Sequence, residues 1–260
     1  MRPWRLIPLI ALLPIVAAMV LYAVLAWQRH LVQPDDPLLP LPSQLWSRCV
    51  SAYSWSQADS LAPLWMDTQA SLWRLFVSLT VAGAVALVVA IMMHEFRFLR
   101  QMFTPSLLVI AKIPSVAILP ILLLWLGVNE KARIALVILG ITPYLCIQLY
   151  HDLQRITHPL IEQMNGILLP RWQRVLFIDT PLIWPAFLQQ IQLLLGQAWL
   201  FLLLAETFGA RNGLGYRIFV VRRFLAMDII LVYVFWIALL SVTMYYLIEL
   251  WQRRFRWYVN

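Results

Sequence analysis

The sequence predicts an all-α membrane protein with six transmembrane helices. Hydrophobic residues make up 62% of its 260 residues and charged residues 12%, whereas a soluble domain is about 45–50% apolar and about 25% charged. The mean hydropathy is +0.78. The 13 Trp, 9 Tyr and 12 Phe residues suit aromatic belts at two membrane surfaces. This composition excludes a soluble enzyme and a disordered chain.

Six apolar runs approach or exceed the roughly 20 residues that cross a bilayer. They are 6–27, 75–93, 104–128, 134–150, 182–205 and 229–248. The first is too long for the apolar core of a signal peptide, which is about 7–15 residues, and it ends in Trp27-Gln28-Arg29. The third has its best core at 113–128, in a helix expected to begin earlier. Thr142-Pro143 interrupts the fourth.

The six spans place both termini on one side of the membrane. Slightly more than half of the 20 Lys and Arg residues lie on that side, which favours cytoplasmic termini. The chain then divides into a first span with its periplasmic loop (1–74), a core of spans (75–250) and a basic, aromatic tail (251–260).

The periplasmic loop 28–74 is predicted to hold two amphipathic helices on the membrane surface. Its prolines, at 34, 37, 40 and 42, make its start extended. Ser43 is expected to cap a first helix, whose apolar face comprises Leu45, Trp46, Cys49 and Val50. A second stretch, 61–73, leads into the second span. The alternative is that both stretches pad the outer rim of the bundle.

The sequence lacks the motifs of catalysis and metal binding. It contains no G-x-x-x-x-G-K-[ST] phosphate loop, no H-E-x-x-H pair and no G-x-S-x-G turn. Cys49 and Cys146 are expected to be free thiols. Because the spans carry almost no carboxylates for an ion relay, any energy for transport must come from a partner. We therefore predict no catalytic residue and no metal ligand.

The net charge of +8 does not indicate nucleic-acid binding. The basic residues are spread between the apolar runs, whereas a nucleic-acid site gathers them in one patch or stripe. Basic residues that flank membrane spans contact lipid headgroups, and this is the role that we expect for them here.

The loop 151–181 between the fourth and fifth spans is the most polar cytoplasmic stretch. Within it, Trp172, Leu176 and Val175 can share one helical face, with Arg171 and Arg174 turned elsewhere. A short amphipathic helix of this kind suits docking in a partner's groove. A connecting turn packed under the bundle is the alternative.

Polar residues in and after the fifth span are candidates for a translocation path. Gln190 and Gln197 lie within the span, Glu206 follows it, and Gly213 and Gly215 permit a tight loop toward the pore. Each has a plainer alternative: hydrogen bonds between helices for the glutamines, and a helix-terminating turn for the glycines. For Glu206 the alternative is pairing with nearby arginines, at 211, 217, 222 and 223.

Three ordered segments make the chain resemble the membrane subunit of a bacterial ATP-binding-cassette importer, in the nitrate, taurine, sulfonate and bicarbonate branch. The first is Lys112-Ile113-Pro114-Ser115-Val116-Ala117-Ile118-Leu119-Pro120, followed by Trp125-Leu126-Gly127-Val128-Asn129-Glu130 and Arg133. The second runs from Glu162 to Pro181 and Pro185. The third comprises Ala205-Glu206, Gly213-Leu214-Gly215-Tyr216, Phe224 and Asp228. Together with the Leu39-Pro40-Leu41-Pro42-Ser43 stretch, the likeness covers roughly residues 38–230.

The resemblance implies a type I importer permease fold and a division of labour among subunits. Two permease subunits, as a homodimer, form the path for a small anionic solute. Two ATPase subunits bind ATP and Mg²⁺, and a periplasmic binding protein delivers the solute. The resemblance places the ATPase contact in the coupling loop, at Glu162, Gln163, Met164, Gly166, Leu168, Arg171 and Trp172. This chain then carries no cofactor of its own.

The coupling loop departs from the family's pattern. Gln163 and Met164 stand where the family has small residues, and Leu168 stands where it has glycine, with Gly166 two places earlier. A partner ATPase with a matching groove and a weakly coupled subunit are both open explanations. Two other classes also stay open: a membrane-embedded enzyme or assembly factor, and a secondary transporter.

Overall fold

The computed structural model describes residues 7–33, 38–53, 63–163 and 170–255, and all regular structure in them is helical. The α-helices are α1 (Ile7–Val32), α2 (Pro42–Tyr53), α3 (Pro63–Glu95), α4 (Arg97–Lys112), α5 (Ser115–Leu126), α6 (Glu130–Gln163), α7 (Arg171–Arg174), α8 (Thr180–Glu206), α9 (Leu214–Val221) and α10 (Met227–Phe255). A π-helical turn (Val175–Asp179) joins α7 to α8, and a 3₁₀ turn (Arg222–Phe224) follows α9. The predicted all-α class is confirmed.

The predicted apolar runs fall mainly on helix in the described residues, and the third is divided between α4 and α5. In this part of the chain, four helical segments are long and apolar enough to cross a membrane by themselves, and they lie in α3, in α6, in α8 with the end of the turn before it, and in α10. Helices α4 and α5 are together long and apolar enough for a fifth span, and the bend between them is 93°. The first run lies in α1, of which Val16–Val32 is a shorter apolar helix.

The third run differs from its prediction because the helix does not begin before residue 113. Ile113 is extended (φ −76°, ψ 122°) and ends α4, while Pro114 occupies the N-cap position of α5. A residue before proline is pushed out of the α region by the proline ring. The chain therefore turns sharply here, and α5 begins only at Ser115.

The fourth run is continuous although Thr142-Pro143 was predicted to interrupt it. Proline removes one helical hydrogen bond, but α6 runs unbroken through this position. Ile141 and Leu145 on either side are fully buried. Packing around the proline therefore holds the helix together where its own hydrogen bonding is weakened.

The first predicted loop helix exists, but Ser43 does not cap it. α2 begins at Pro42, whose fixed φ suits the first helical position. The backbone N–H of Leu41 donates to Oε1 of Gln44 at 2.9 Å, as in one half of a capping box. Trp46 is 73% exposed, whereas the side chains of Cys49 and Val50 lie outside the described residues.

The second predicted loop helix is instead the start of α3. From Pro63 to Glu95 the chain forms one helix, so residues 63–73 continue directly into the apolar span. Four polar side chains in its first turns are buried, which a helix lying on the membrane surface would expose: Asp67, Thr68, Ser71 and Arg74. The buried network described below explains this difference.

The chain forms two compact units. In the first (1–64 and 217–236), the Tyr22 hydroxyl donates to the Pro40 carbonyl at 2.7 Å, and Arg223 lies over the Phe219 ring. In the second (65–216 and 237–260), α6 packs against α8, α5 and α4. A core cluster of the second unit joins α3, α6 and α8, and includes Met93, Cys146 and Ile183. Cys146 is a free thiol, as predicted.

Candidate functional site

Two polar regions lie at opposite ends of the second unit. At one end α3 and α6 begin and α8 finishes; we call it the network end. At the other end α3 and α6 finish and α7 leads into α8; we call it the loop end. Apolar core fills the length between them.

The predicted coupling residues fall at the loop end, partly outside the described residues. Glu162 and Gln163 form the last turn of α6, and Arg171 and Trp172 begin α7, but the side chains of these four are not described. The remaining three, Met164, Gly166 and Leu168, lie outside the described residues. Their contact with an ATPase stays a prediction.

The last part of the loop 151–181, from residue 171 onward, is not a regular amphipathic helix. It comprises four residues of α7 and then the π-helical turn Val175–Asp179. The Thr180 hydroxyl donates to the Val175 carbonyl, five residues back, at 2.8 Å. Pro181 has no N–H to give to a helical bond, which favours such a local rearrangement. The predicted docking face assumed an α-helix with 3.6 residues per turn. This assumption does not hold across the π-helical turn.

A buried charged cluster ties this segment to the end of α3. Arg174 forms an ion pair with Oε1 of Glu95, whose side chain is 3% exposed. Possible ligand atoms of His94, Glu95 and Asp179 all lie within 4.8 Å of one another. The hydrogen bond to Glu95 raises the pKa of the Arg174 guanidinium, so this cation stays charged beside the two carboxyl groups. The cluster is therefore an ion-pair site.

At the network end, one guanidinium joins three helices and a loop. Arg74 of α3 donates to Oε1 of Glu206 on α8 at 2.7 Å and to Oε1 of Glu130 on α6 at 2.8 Å. It also donates to the carbonyl and the side-chain oxygen of Asn212 at 2.9 and 2.8 Å. Arg133 of α6 in turn donates to Glu130 at 2.8 Å. The side chains of Arg74, Arg133 and Glu206 are at most 4% exposed.

The same network binds the backbone that follows α8. The N–H of Gly213 donates to Asp67 at 2.8 Å, and that of Leu214 to the Ser71 hydroxyl at 2.9 Å. The N–H of Gly215 donates to Oε2 of Glu206 at 2.9 Å. These three donors belong to the first turn of α9 and the residue before it, where a helix has no internal acceptors for its N–H groups.

Gly213 and Gly215 are required by this packing. Gly213 has φ +131°, and a Cβ there would lie 2.6 Å from Cδ of Glu206 and 2.7 Å from Nη1 of Arg74. At Gly215 a Cβ would lie 2.3 Å from the backbone carbonyl oxygen of Leu203. The predicted tight loop is present, and the structure seats it in the buried network.

The partner of Glu206 was not predicted. We expected pairing with arginines later in the chain, but its carboxylate accepts from Arg74, which was placed in the loop before the second span. The sequence did indicate a buried polar face on α3, through the spacing of its polar residues at 67, 71, 74 and 78, and all four are buried. This spacing places them on one helical face.

The glutamines of α8 divide into two groups. Gln190 donates to Asp152 of α6 at 2.7 Å, and Gln192 donates to the Tyr245 carbonyl of α10 at 3.2 Å. These two make the hydrogen bonds between helices that were the plainer alternative. Gln197 instead lies on the exposed face of α8, so it is the candidate that stays available to a path.

A bundle of apolar helices with buried ion pairs at both ends defines a multi-pass membrane protein. Residues 68–257 match the family described as the binding-protein-dependent transport system inner membrane component, and the chain belongs to this family. It is therefore the permease subunit of an ATP-driven importer and acts with ATPase and binding-protein partners. The enzyme and secondary-transporter alternatives are thereby set aside.

Relatives and solved structures agree with this family. The chain is 28% identical over 220 residues to the protein named as an aliphatic sulfonates transport permease, SsuC, of Escherichia coli strain K12, covering 83% of this chain and 81% of that protein. It is 27% identical over 229 residues to the taurine transport system permease TauC of the same organism, covering 88% and 83%.

Two solved transporters share the fold. A chain of the inward-facing MetNI methionine ABC transporter has a TM-score of 0.63 at 17% identity, covering 79% of this chain and 100% of that one. A chain of a bacterial ABC transporter that imports alginate has a TM-score of 0.62 at 16% identity, covering 92% and 95%. Both confirm the predicted importer permease fold.

Proposed function

We propose that two copies of this chain form the path by which a small sulfonate-type anion is imported. The observation that carries the choice of solute is the similarity to the sulfonate and taurine permeases over more than four fifths of this chain. Arginines at 211, 217, 222 and 223, in the segment between α8 and α10, supply positive charge that favours an anion.

The exposed face of α8 supports the pairing of two copies. It carries Leu193 and Leu200, which are 66% and 59% exposed, and Gly196 and Gln197 between them. A Cβ at Gly196 would have no atom within 4 Å. Small residues allow two helices in a membrane to approach closely, and polar residues there usually face protein or water.

The proposed orientation places the loop end and both chain termini in the cytoplasm. Arg253 and Arg254 end α10 on that side, in agreement with the tendency of basic residues to stay cytoplasmic. The segment 151–181 then faces the ATPase subunits, which bind ATP and Mg²⁺. The network end faces the periplasm, where the binding protein delivers the solute.

The coupling proposal is tested by purification from a mild detergent with an ATPase assay of the eluate. The tagged chain is co-expressed with its ATPase subunit, either unchanged or as Glu162→Ala or Gly166→Arg. We expect the unchanged chain to bring down ATPase activity and both variants to lose or uncouple it. Glu249→Ala is the matched control, since it removes a carboxylate from an exposed ion pair on α10.

The solute is tested with vesicles that contain the complex and the binding protein. We expect ATP-dependent uptake of taurine that unlabelled ethanesulfonate inhibits. Uptake that nitrate or bicarbonate inhibits, but ethanesulfonate does not, would move the solute to another class.

In the purification experiment, a chain that elutes without the ATPase, with neither loop variant having an effect, would contradict the coupling proposal.

A further inference from the structure

The link from α7 to α8 is covalent but contains an irregular turn. Residues 175–179 form a π-helical turn, which has a wider backbone than the α-helix on either side. Movement of the coupling loop reaches α8 through this joint. α3, in contrast, ends at Glu95, far from the loop in sequence. It therefore requires a contact through space to follow the same movement.

Arg174 and Glu95 supply such a contact. Arg174 is the last residue of α7, immediately before the π-helical turn, and Glu95 is the last residue of α3. The pair thus joins α3 to the loop side of the irregular joint. Because Glu95 is 3% exposed and Arg174 30%, water and salt screen the pair less than a surface ion pair.

The surroundings leave Glu95 dependent on Arg174. Oε2 of Glu95 is buried without a hydrogen-bond partner among the described residues, and the carboxylate of Asp179 lies close by. Two nearby carboxylates repel each other unless a cation stands beside them. Removal of Arg174 would take the guanidinium away from these two buried carboxylates and leave the His94 imidazole as the basic group beside them. The ion pair between Arg174 and Glu95 is therefore favoured in the folded protein.

We propose that Glu95 and Arg174 are positioning residues that make α3 move together with α8 when the ATPase acts on the coupling loop. The inference rests on the proposed coupling function and goes beyond it by naming the contact that carries the movement to α3. The core contacts of Met93 with α6 and α8 then continue the movement from the end of α3 into the bundle.

The test measures the distance between α3 and α8 by spin labels, which requires no knowledge of the solute. Val88→Cys and Leu193→Cys introduce labels on the two helices, in a chain with Cys49→Ser and Cys146→Ala. Because Leu193 lies on the face proposed to pair with a second copy, one labelled chain is combined with one cysteine-free copy, so that only the distance within a chain is measured. The complex with its ATPase is compared without nucleotide and after trapping with ATP and vanadate. With the pair intact, we expect the same distance in both states.

Variants of the pair separate charge from size. With Arg174→Met or Glu95→Gln we expect the distance to shift or broaden on trapping, while the ATPase still co-purifies. Arg174→Lys keeps the cation, and Glu95→Arg with Arg174→Glu restores an opposite pair, so both should restore the constant distance. Arg253→Met, which breaks the exposed pair with Glu249, is the control and should change nothing.

Three results would overturn the inference. The first is a distance that changes on trapping in the unaltered pair as much as in Arg174→Met. The second is a constant distance in every variant. The third is loss of the ATPase from the Arg174 variants alone, which would make Arg174 a docking residue. If Arg174→Met does not fold, Glu95→Gln, which keeps the size of the side chain, serves as the broken pair. If no ATPase co-purifies with the unaltered chain, the proposed function and this inference fail together.

Discussion

Arg74 shows how a single side chain organises the network end. A lone arginine inside an apolar helix costs several kcal/mol of free energy unless it is paired and hydrogen-bonded. Here its donors reach two carboxylates and one asparagine on three other segments. The buried guanidinium is thereby stabilised, and it holds together α3, α6, α8 and the loop that follows α8.

The substitution Arg74→Met is expected to destabilise the folded protein strongly. Removing one partner of a buried ion pair typically costs about 3–5 kcal/mol, because the other charge is left buried and uncompensated. Arg253→Met, at a residue whose side chain is 62% exposed, should cost at most about 1 kcal/mol. The measurement is thermal unfolding in detergent, and equal shifts for the two variants would contradict the network's role.

Gly213 and Gly196 offer a matched pair of glycine substitutions. Gly213→Ala should lower stability by about 1–3 kcal/mol, because φ is +131° and the new Cβ meets Glu206 and Arg74. Within a single subunit, Gly196→Ala should be neutral or stabilising by up to about 1 kcal/mol, since Gly196 lies in a helix and the new Cβ would meet no atom of the same chain within 4 Å. Unfolding temperature and the yield of monodisperse protein compare the two. A tolerated Gly213→Ala would show that the loop can leave the network.

At the scale of elements, prolines decide where helices bend, and packing decides where they do not. Pro114 separates α4 from α5 because the residue before it is forced to be extended. Pro143 leaves α6 continuous because it sits between buried residues of a long helix. Pro181 follows the π-helical turn, the irregular joint through which the coupling loop meets α8.

Deletion of Ile178 should convert the π-helical turn into ordinary α-helix. A π-helical turn takes up one extra residue within a helix, so the deletion leaves the faces of α7 and α8 close to their present orientation and Arg174 near Glu95. We expect the unfolding temperature to change by only a few degrees. Taurine uptake should fall by about an order of magnitude, because α7 would then meet α8 through a regular and stiffer helical joint. Unchanged uptake would show that the joint tolerates either geometry.

At the scale of the whole molecule, the exposed apolar surface must be covered by lipid or by another chain. α5 and α8 both expose large side chains, among them Leu124 at 84% and Leu193 at 66%. The exposed face of α8 also carries the polar side chain of Gln197. A polar side chain is not expected on a surface that contacts only lipid tails. This is why the proposed pairing of copies uses α8.

Gly196→Trp is expected to break the pair of permease subunits. A bulky ring on the contact face prevents close approach of the two helices. The measurement is the molar mass of the purified chain by light scattering with detergent contribution subtracted. Ala84→Trp places the same ring on the exposed face of α3 and is the control. A pair that survives Gly196→Trp, or is lost equally with both variants, would place the contact elsewhere.

Much of the architecture follows from local sequence. Apolar runs of sufficient length must form helices in a membrane, because no water is present there to satisfy an open backbone. This is why five of the predicted runs lie on single helices where they are described and the third lies on two, α4 and α5. Pro114 likewise carries the information for a turn within its own dipeptide, although we expected the helix to pass through it.

The networks could not be located in this way, since each depends on residues far apart in sequence. Glu206 was recognised as a candidate, yet its partner Arg74 lies 132 positions away. Arg74 looked like the last charge of a surface loop because sequence hydropathy marks the start of α3 only at the apolar residues after it. The contact between Glu95 and Arg174 joins residues 79 positions apart.

The sequence by itself therefore determined the class of protein and most of its helices, while the position of the ATPase contact stays a prediction. Hydropathy and proline positions affect the backbone locally, so their consequences can be predicted from the sequence. Tertiary structure alone decided which charges meet and which of the candidate glutamines, Gln190 or Gln197, bonds within the bundle. Those outcomes depend on how α3, α6 and α8 pack, because a buried charge is stable only where a distant segment brings its partner.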